Sequence, residues 1–328
     1  MLVTRFTRHF GVEAPIMQGG MQWIGTGTLA AAVSNAGGLG TITALTFPTP
    51  AALREQIDIC RDATDKPFAV NLTSLPSINP PPYDEYRAVM IDAEVPVVET
   101  SGSNPAEFMP IYRDAGIKVV HKATSIRHAL KAEEAGVDAV AIIGFEAAGH
   151  PGELDIPGLV LIREAARKLS IPVLAAGGFA DGEGLAAALA LGAEGILMAT
   201  RFMATVETPI SDMVKQALVA GNELNTNLIF RSLNNTARVV KNTVSDQVVE
   251  ILKNGGDFES VRELVAGRRG RTVYETGDLD AGIWWAGISQ ALIDDVPTCR
   301  DLIANIVGDA EWVVQQRLAG MISVPVAS

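Results

Sequence analysis

The sequence predicts a (β/α)8 barrel, the TIM-barrel class of α/β folds, with a helical cap near its C-terminus. Strand-like and helix-like runs alternate from the N-terminus to about residue 205, and the strand-like runs number eight. Eight strands with crossover helices is the count of a closed barrel, whereas an open doubly wound sheet needs fewer. After residue 202 the alternation stops, which places the extension behind the barrel.

Each predicted strand is a short apolar run, as expected of a parallel sheet whose strands are buried on both faces. The predicted strands are residues 15–18, 39–43, 68–72, 97–100, 118–122, 139–143, 172–176 and 195–198. Helical patterns between them lie near residues 26–36, 49–62, 83–93, 105–115, 124–135, 158–168 and 181–191. Several of these helices end at a glycine that can adopt the left-handed capping conformation, such as Gly136 and Gly192.

The sequence predicts a barrel followed by two further parts. Residues 1–208 form the barrel, which we expect to bind the cofactor, and residues 209–290, which show helix and loop patterns without a clear strand, form a helical cap or substrate domain. Residues 291–328 contain a last helix, at about 298–319, expected to pack back on the barrel. The proline-rich stretch 76–82 either walls one side of the site or forms a surface loop.

Composition excludes several classes of function. The formal net charge is −12 without a basic tract, so nucleic acids and anionic membranes are disfavoured as partners. No apolar run reaches the roughly 18–20 residues of a membrane-spanning helix, and the N-terminus lacks a signal-peptide pattern, so we expect a cytoplasmic protein. Cys60 and Cys299 are isolated, which indicates neither a metal site nor a disulfide framework.

One motif points misleadingly to a dinucleotide-binding fold. Residues 25–30 fit the pattern G-x-G-x-x-A. The motif begins several residues after the first strand, and no acidic residue about 20 positions on completes a βαβ unit. We interpret it as a helix N-terminus capped by Thr26 or Thr28, and we reject a Rossmann fold.

The ends of the seventh and eighth strands predict a phosphate site. In these barrels the active site lies at the carboxyl ends of the strands, and a phosphate commonly lies beyond the last two. Strand seven runs into Gly177 and Gly178, whose N–H groups can approach an anion without interference from a Cβ atom. Strand eight runs into Ala199 and Thr200, which adds a hydroxyl group.

Other strand ends carry groups suited to a ring-shaped cofactor and its substrate. Gly20, Met21 and Gln22 follow strand one, where Gln22 can bond a heterocyclic edge. Lys122 ends strand five, and a buried lysine is costly unless it faces an anion or a reduced cofactor. The glycine-rich loop after strand six contains His150, whose imidazole titrates near neutral pH and is predicted to act in catalysis or to contact the substrate.

Several of these motifs together resemble the nitronate monooxygenase family, formerly called 2-nitropropane dioxygenase. The motifs lie at 15–23, 34–40, 71–73, 121–122, 149–152, 175–179, 199–202 and, in the cap, 231–239. The nearest pattern is a bacterial branch that includes NAD(P)H:quinone reductases. That branch often has an acidic residue in place of Ile143 and a glycine in place of Ala199.

The resemblance implies a non-covalently bound FMN in the barrel mouth and a catalytic histidine at His150. The implied flavin contacts are Gly20, Met21, Gln22, Thr73, Lys122, Gly149, Gly177, Gly178, Ala199 and Thr200. Lys122 would stabilise negative charge on the reduced ring. For the cap residues Arg231, Arg238, Lys241, Trp284 and Trp285, lining the substrate side and simply packing are both left open.

The resemblance also implies an activity. The preferred hypothesis is oxidation of an alkyl nitronate by O2 to a carbonyl compound and nitrite, with FMN as the redox cofactor. An NAD(P)H:quinone reductase, with NAD(P)H as electron donor, is the second hypothesis and an enoyl-thioester reductase the third. A non-catalytic flavin-binding protein is the alternative outside enzymes, and a homodimer is left open.

Overall fold

A ring of eight parallel strands forms the centre of the computed structural model, which describes residues 2–74 and 80–322. The strands are β1 (Ile16–Gln18), β2 (Gly40–Thr43), β3 (Phe68–Ser74), β4 (Val97–Gly102), β5 (Lys118–Ala123), β6 (Ala139–Ile143), β7 (Val173–Ala176) and β8 (Gly195–Met198). β1 pairs with β8, and a parallel bridge between Met17 and Leu39 joins β1 to the chain entering β2, so the ring closes. The predicted (β/α)8 barrel is confirmed.

Helices surround the barrel between its strands. They are α2 (Gly27–Asn35), α3 (Pro50–Ala63), α4 (Tyr83–Asp92), α5 (Met109–Asp114), α6 (Ile126–Ala135), α7 (Gly158–Lys168) and α8 (Gly182–Ala190). Each lies within or beside one of the predicted helical patterns. Helix α6 illustrates the local signals, because Ser125 caps its first turn and Gly136, at φ 90°, ends it in the left-handed conformation.

The sequence patterns did not predict a short first helix, α1 (Arg5–Phe10). Phe6 and Phe10 of this helix are buried, and they join one apolar cluster with side chains from inside the barrel, including Met17, Leu39 and Val97. Helix α1 therefore closes the amino-terminal end of the barrel. Among the described residues, this leaves the end at which the strands terminate open for a site.

Between β8 and residue 322 the chain contains six α-helices and one hairpin. These elements are α9 (Thr200–Met203), α10 (Asp212–Val219), β9 (Thr226–Ile229), β10 (Ala237–Val240), α11 (Thr243–Lys253), α12 (Phe258–Val261), α13 (Gly267–Thr276) and α14 (Cys299–Trp312). The expectation of a cap without a strand was wrong, because β9 and β10 pair in an antiparallel hairpin. The strands are only four residues long, and their turn uses Phe230 and Asn234 at positive φ in place of the glycines that usually mark a hairpin.

The last long helix packs against the barrel. Helix α14 lies against α8 so closely that a Cβ atom at Gly182 would lie 2.7 Å from the backbone N of Ala310. The helix is α-helical to Trp312 and continues as a π-helical segment, Val313–Leu318. None of the described helices is both long and apolar enough to cross a membrane.

The G-x-G-x-x-A motif serves packing. Thr26 caps α2 by accepting the N–H of Leu29, as predicted, and a Cβ atom at Gly27 would lie 2.2 Å from the carbonyl oxygen of Gln56 on α3. Gly25 is equally confined, because a Cβ atom there would lie 2.3 Å from Thr43 Oγ1. Both glycines thus allow neighbouring segments of the chain to pack closely, and neither lines the cavity described below.

We expect Gly27→Ala to lower the free energy of unfolding by about 1–3 kcal/mol, the usual effect of overpacking. The matched control is Gly308→Ala in α14, where an added methyl group would meet nothing within 4 Å and should be neutral or stabilising. Urea unfolding of both variants measures the difference. Equal stability of the two variants would contradict the packing interpretation of Gly27.

Candidate active site

A cavity of about 480 Å3 lies at the carboxyl ends of the strands. This volume falls within the range of about 300–1,000 Å3 that is typical of small-molecule sites. All residues that the sequence predicted for cofactor binding and catalysis line this one cavity. They are Gly20, Met21, Gln22, Thr73, Lys122, Gly149, His150, Gly177, Gly178, Ala199 and Thr200. The structure thus places all of these residues around one cavity, and the role of each residue remains a prediction.

Two successive left-handed glycines form one side of the cavity. Gly177 has φ 85° and Gly178 has φ 86°, a conformation that other residues rarely adopt. A Cβ atom at Gly177 would also lie 2.9 Å from the carbonyl oxygen of Gly144. The backbone N–H groups of both glycines donate to no acceptor within the described part of the chain. Unpaired N–H groups beside a cavity are suited to holding an anion such as a phosphate.

The segment after β8 contributes a second group of donors. Ala199 has φ −124°, so this position does not require the glycine common in the related branch. Thr200 Oγ1 accepts the N–H of Gly287 at 3.0 Å, which leaves the hydroxyl hydrogen free to donate. Arg201 is buried and pairs with Asp295, so its guanidinium does not face the cavity. Burial lowers the pKa of Arg201, and Asp295 opposes this shift.

Helix α8 contributes less to anion binding than its position suggests. Its first turn is capped by Asp181, whose carboxylate accepts the N–H of Gly184 at 2.7 Å. Part of the donor capacity at this helix end is therefore used by the protein itself. Gly177 and Gly178 line the cavity, whereas the residues of α8, Gly182–Ala190, do not.

Residues that follow β1 and β3 form another part of the cavity wall. A Cβ atom at Gly20 would lie 2.4 Å from the side-chain carbon Cγ of Asn71, so only glycine fits there. The N–H of Met21 donates to Thr43 Oγ1 at 2.8 Å, which fixes the backbone that leads to Gln22. Glycine at position 20 thus lets the Asn71 side chain pack against the main chain, and both residues line the cavity.

Glu99 is the residue of this region that the sequence reading missed. It lies on β4, is fully buried, and its Oε2 atom is 3.4 Å from Nζ of Lys122. Lys122 was predicted to face an anion, and the structure supplies one from the protein itself. The available signal was a single acidic residue inside the otherwise apolar start of a buried strand, Val97-Val98-Glu99.

The loop bearing His150 is held by the cap hairpin. Gly149 and Arg238 form an antiparallel bridge, with N–H to carbonyl distances of 3.0 and 2.7 Å. The Glu153 carboxylate accepts the backbone N–H of Thr236 at 2.6 Å and also its hydroxyl. The cap therefore fixes the position of the loop over the cavity, although its strands were not predicted.

His150 lies at the cavity mouth beside an aromatic ring. Its side chain is exposed, and its ring centroid is 6.1 Å from that of Trp285. Desolvation by the surrounding atoms lowers the pKa of His150, and the carboxylate of Glu153 opposes this shift. The neutral imidazole is consequently available at lower pH than in an ordinary histidine.

The structure separates the five cap residues that the sequence left open. Trp285 lines the cavity, whereas the neighbouring Trp284 is buried in the core. Arg238 donates to the Phe145 carbonyl and to Thr226, Arg231 pairs with Asp155, and Lys241 is exposed. Only Trp285 of this set is placed to contact a bound molecule.

The proline-rich stretch after β3 forms part of the wall. Pro81 and Tyr83 line the cavity, which agrees with the interpretation of this stretch as one side of the site. Residues 75–79 lie outside the described residues, so the prediction for 76–82 is tested only at its end.

The chain is similar to known proteins over most of its length. A family model described as nitronate monooxygenase matches residues 4–309. A relative in Rhodococcus jostii, named (3aS,4S,5R,7aS)-5-hydroxy-7a-methyl-1-oxo-octahydro-1H-indene-4-carboxyl-CoA dehydrogenase, is 32% identical, and the match covers 94% of this chain and 96% of the relative.

Two solved structures are also similar to this chain. FabK from Thermotoga maritima is 37% identical with a TM-score of 0.91, and the match covers 98% of this chain and 100% of FabK. The nitroalkane oxidase from Streptomyces ansochromogenes is 28% identical with a TM-score of 0.80, covering 93% of this chain and 98% of that one.

Proposed function

Because the chain belongs to the nitronate monooxygenase family, we propose that it is an FMN-dependent oxidoreductase that oxidises alkyl nitronates with O2 to a carbonyl compound and nitrite. The observation that carries this proposal is the pairing, in one cavity, of unpaired N–H donors at Gly177 and Gly178 with the titratable side chain of His150. The similarity to a nitroalkane oxidase supports the same substrate class.

The residues present fit a flavin mononucleotide. The left-handed glycines and Thr200 offer donors to its phosphate, and Gly20, Met21 and Gln22 line the same cavity, where the ring would lie. Lys122 contributes a positive charge to the same cavity. When bound, FMN would supply the electron transfer that the protein side chains cannot perform.

The chain's own residues then handle the substrate. His150 in its neutral form takes the α-proton from a nitroalkane at its Nδ1 or Nε2 atom, which produces the nitronate that is oxidised, and in its protonated form it orients the anionic nitro group. Trp285 beside it supplies an apolar wall that restricts water at the mouth. The cap hairpin keeps His150 in place through Gly149 and Glu153.

A second candidate function is oxidoreduction of a thioester. It is favoured by the similarity to FabK and to a relative that is named as a carboxyl-CoA dehydrogenase. The same cavity would then accept the acyl group, and NAD(P)H would be the electron donor. The NAD(P)H:quinone reductase hypothesis shares this donor.

Anaerobic mixing separates these functions. The FMN-loaded protein is mixed with NADH, with NADPH and with propyl-2-nitronate, and the absorbance of the bound flavin is followed. Rapid bleaching by the nitronate alone is the expected result. Bleaching by NADH or NADPH would reject it, and reoxidation of that reduced protein by crotonyl-CoA or by a quinone then distinguishes the thioester enzyme from the quinone reductase.

A further inference from the structure

The buried carboxylate of Glu99 contacts several residues that line the cavity. Its Oε2 atom accepts the side-chain N–H of Asn71 at 2.6 Å and the backbone N–H of Gly20 at 3.0 Å. The same atom lies 3.4 Å from Nζ of Lys122. Three donors therefore converge on one oxygen. Glu99 itself does not line the cavity, whereas all three donor residues do.

The other carboxylate oxygen of Glu99 accepts no hydrogen bond from these groups. Oε1 of Glu99 has no hydrogen-bond partner among residues 2–74 and 80–322. A fully buried carboxylate with one unpaired oxygen carries a desolvation cost that its contacts offset only in part. An uncharged residue would avoid this cost, so the charge at this position calls for an explanation beyond stability.

The charge of Glu99 acts on the group nearest to it. Lys122 retains 15% of its side-chain exposure, and that exposed part belongs to the cavity. Two opposite unit charges a few ångströms apart cancel much of each other's field at longer distance. A molecule in the cavity therefore experiences less positive charge from Lys122 than an unpaired lysine would give.

We propose that Glu99 is a positioning residue for the flavin, acting through Lys122. It holds Lys122, Asn71 and the Gly20 backbone in one arrangement, and it limits how strongly the site stabilises the negative charge that a flavin gains on reduction. This inference rests on the proposed function, because it requires bound FMN. Its consequence is a lower midpoint potential than Lys122 alone would set.

The midpoint potential of bound FMN tests this proposal. It is measured against a reference dye for the wild type and for Glu99→Gln, which retains the size and an acceptor oxygen but removes the charge. We expect the midpoint potential of Glu99→Gln to be more positive than that of the wild type. The ratio of the affinities for reduced and oxidised flavin should rise by on the order of tenfold. Glu194→Gln, which removes a carboxylate paired with Arg5 at the other end of the barrel, is the control and should cause no shift.

A double-mutant cycle tests the route through Lys122. In a Lys122→Met background, Glu99→Gln should lose most of its effect. A shift of undiminished size there, or no shift in Glu99→Gln with FMN bound, would overturn the proposal. If the glutamine variant does not fold, Glu99→Asp replaces it, because aspartate keeps the charge but withdraws it from Lys122. This variant should shift the midpoint potential in the positive direction by a smaller amount. An unchanged potential in Glu99→Asp would equally overturn the proposal.

Failure of this inference differs from failure of the proposed function. If the wild-type protein binds no FMN, as seen by the absence of flavin absorbance after gel filtration, the function itself is rejected. If FMN binds and the potential does not respond to Glu99, only the role of Glu99 is rejected.

Discussion

Replacement of His150 by alanine is expected to lower the rate of nitroalkane-dependent O2 consumption by about 10²–10⁴-fold, the usual contribution of a positioned general acid or base. His150 lies at the mouth of the cavity, while the flavin contacts predicted here come from other residues, so FMN content should be unchanged. The matched control is His128→Ala, because His128 is exposed on α6 and does not line the cavity. Equal rates for wild type and His150→Ala would remove His150 from the mechanism.

The pH dependence gives an independent measure of the same residue. A base acts in its deprotonated form, so kcat/KM for a neutral nitroalkane should rise with pH and level off above the pKa of His150. Desolvation lowers this pKa, and the plateau should therefore begin at lower pH than the ordinary histidine value of 6.5 would give. His150→Ala should show no such rise. A plateau beginning well above pH 6.5 would contradict the lowered pKa.

Gly178→Ala is expected to weaken FMN binding at least tenfold. An added Cβ atom would meet only ordinary contacts, the nearest being Glu146 Cβ at 3.5 Å, so crowding is not the cause. The left-handed backbone at φ 86° costs about 1–2 kcal/mol for a residue with a side chain. Relaxation of this strain turns the N–H groups of Gly177 and Gly178 away from the phosphate. Titration of FMN fluorescence measures the dissociation constant.

Gly116→Ala provides the control for strain alone. Gly116 has φ 70° and nothing within 4 Å of an added Cβ atom, and it lies before β5 at the end of the barrel opposite to the cavity. Both variants should lose similar stability, and only Gly178→Ala should lose affinity for FMN. Similar FMN affinity in the two variants would show that the left-handed glycines do not hold the phosphate.

The barrel could be predicted because its signals are local. Buried parallel strands are apolar runs, and helices that end at a left-handed glycine, such as Gly136, mark several of the returns to the sheet. The order of strands around a closed barrel then places their ends together. Gly177, Gly178 and Lys122 could be assigned to one cavity on this basis alone.

The features that escaped prediction depend on contacts distant in sequence. The strands Thr226–Ile229 and Ala237–Val240 are short, and β10 is held by Gly149 of a loop almost 90 positions earlier. The role of Glu99 depends on Asn71 and Lys122 on the neighbouring strands and on the backbone N–H of Gly20. The periodicity of apolar residues in the sequence does not predict contacts between residues so far apart in the chain.

Comparison of FMN with riboflavin tests the central claim most directly, because the two ligands share the ring and differ by the phosphate. We predict that the protein binds FMN at least 100-fold more tightly than riboflavin, since charge-assisted bonds from unpaired N–H groups to a phosphate contribute about 1.5–3 kcal/mol each. Equal dissociation constants for the two ligands would contradict an anion site at Gly177, Gly178 and Thr200.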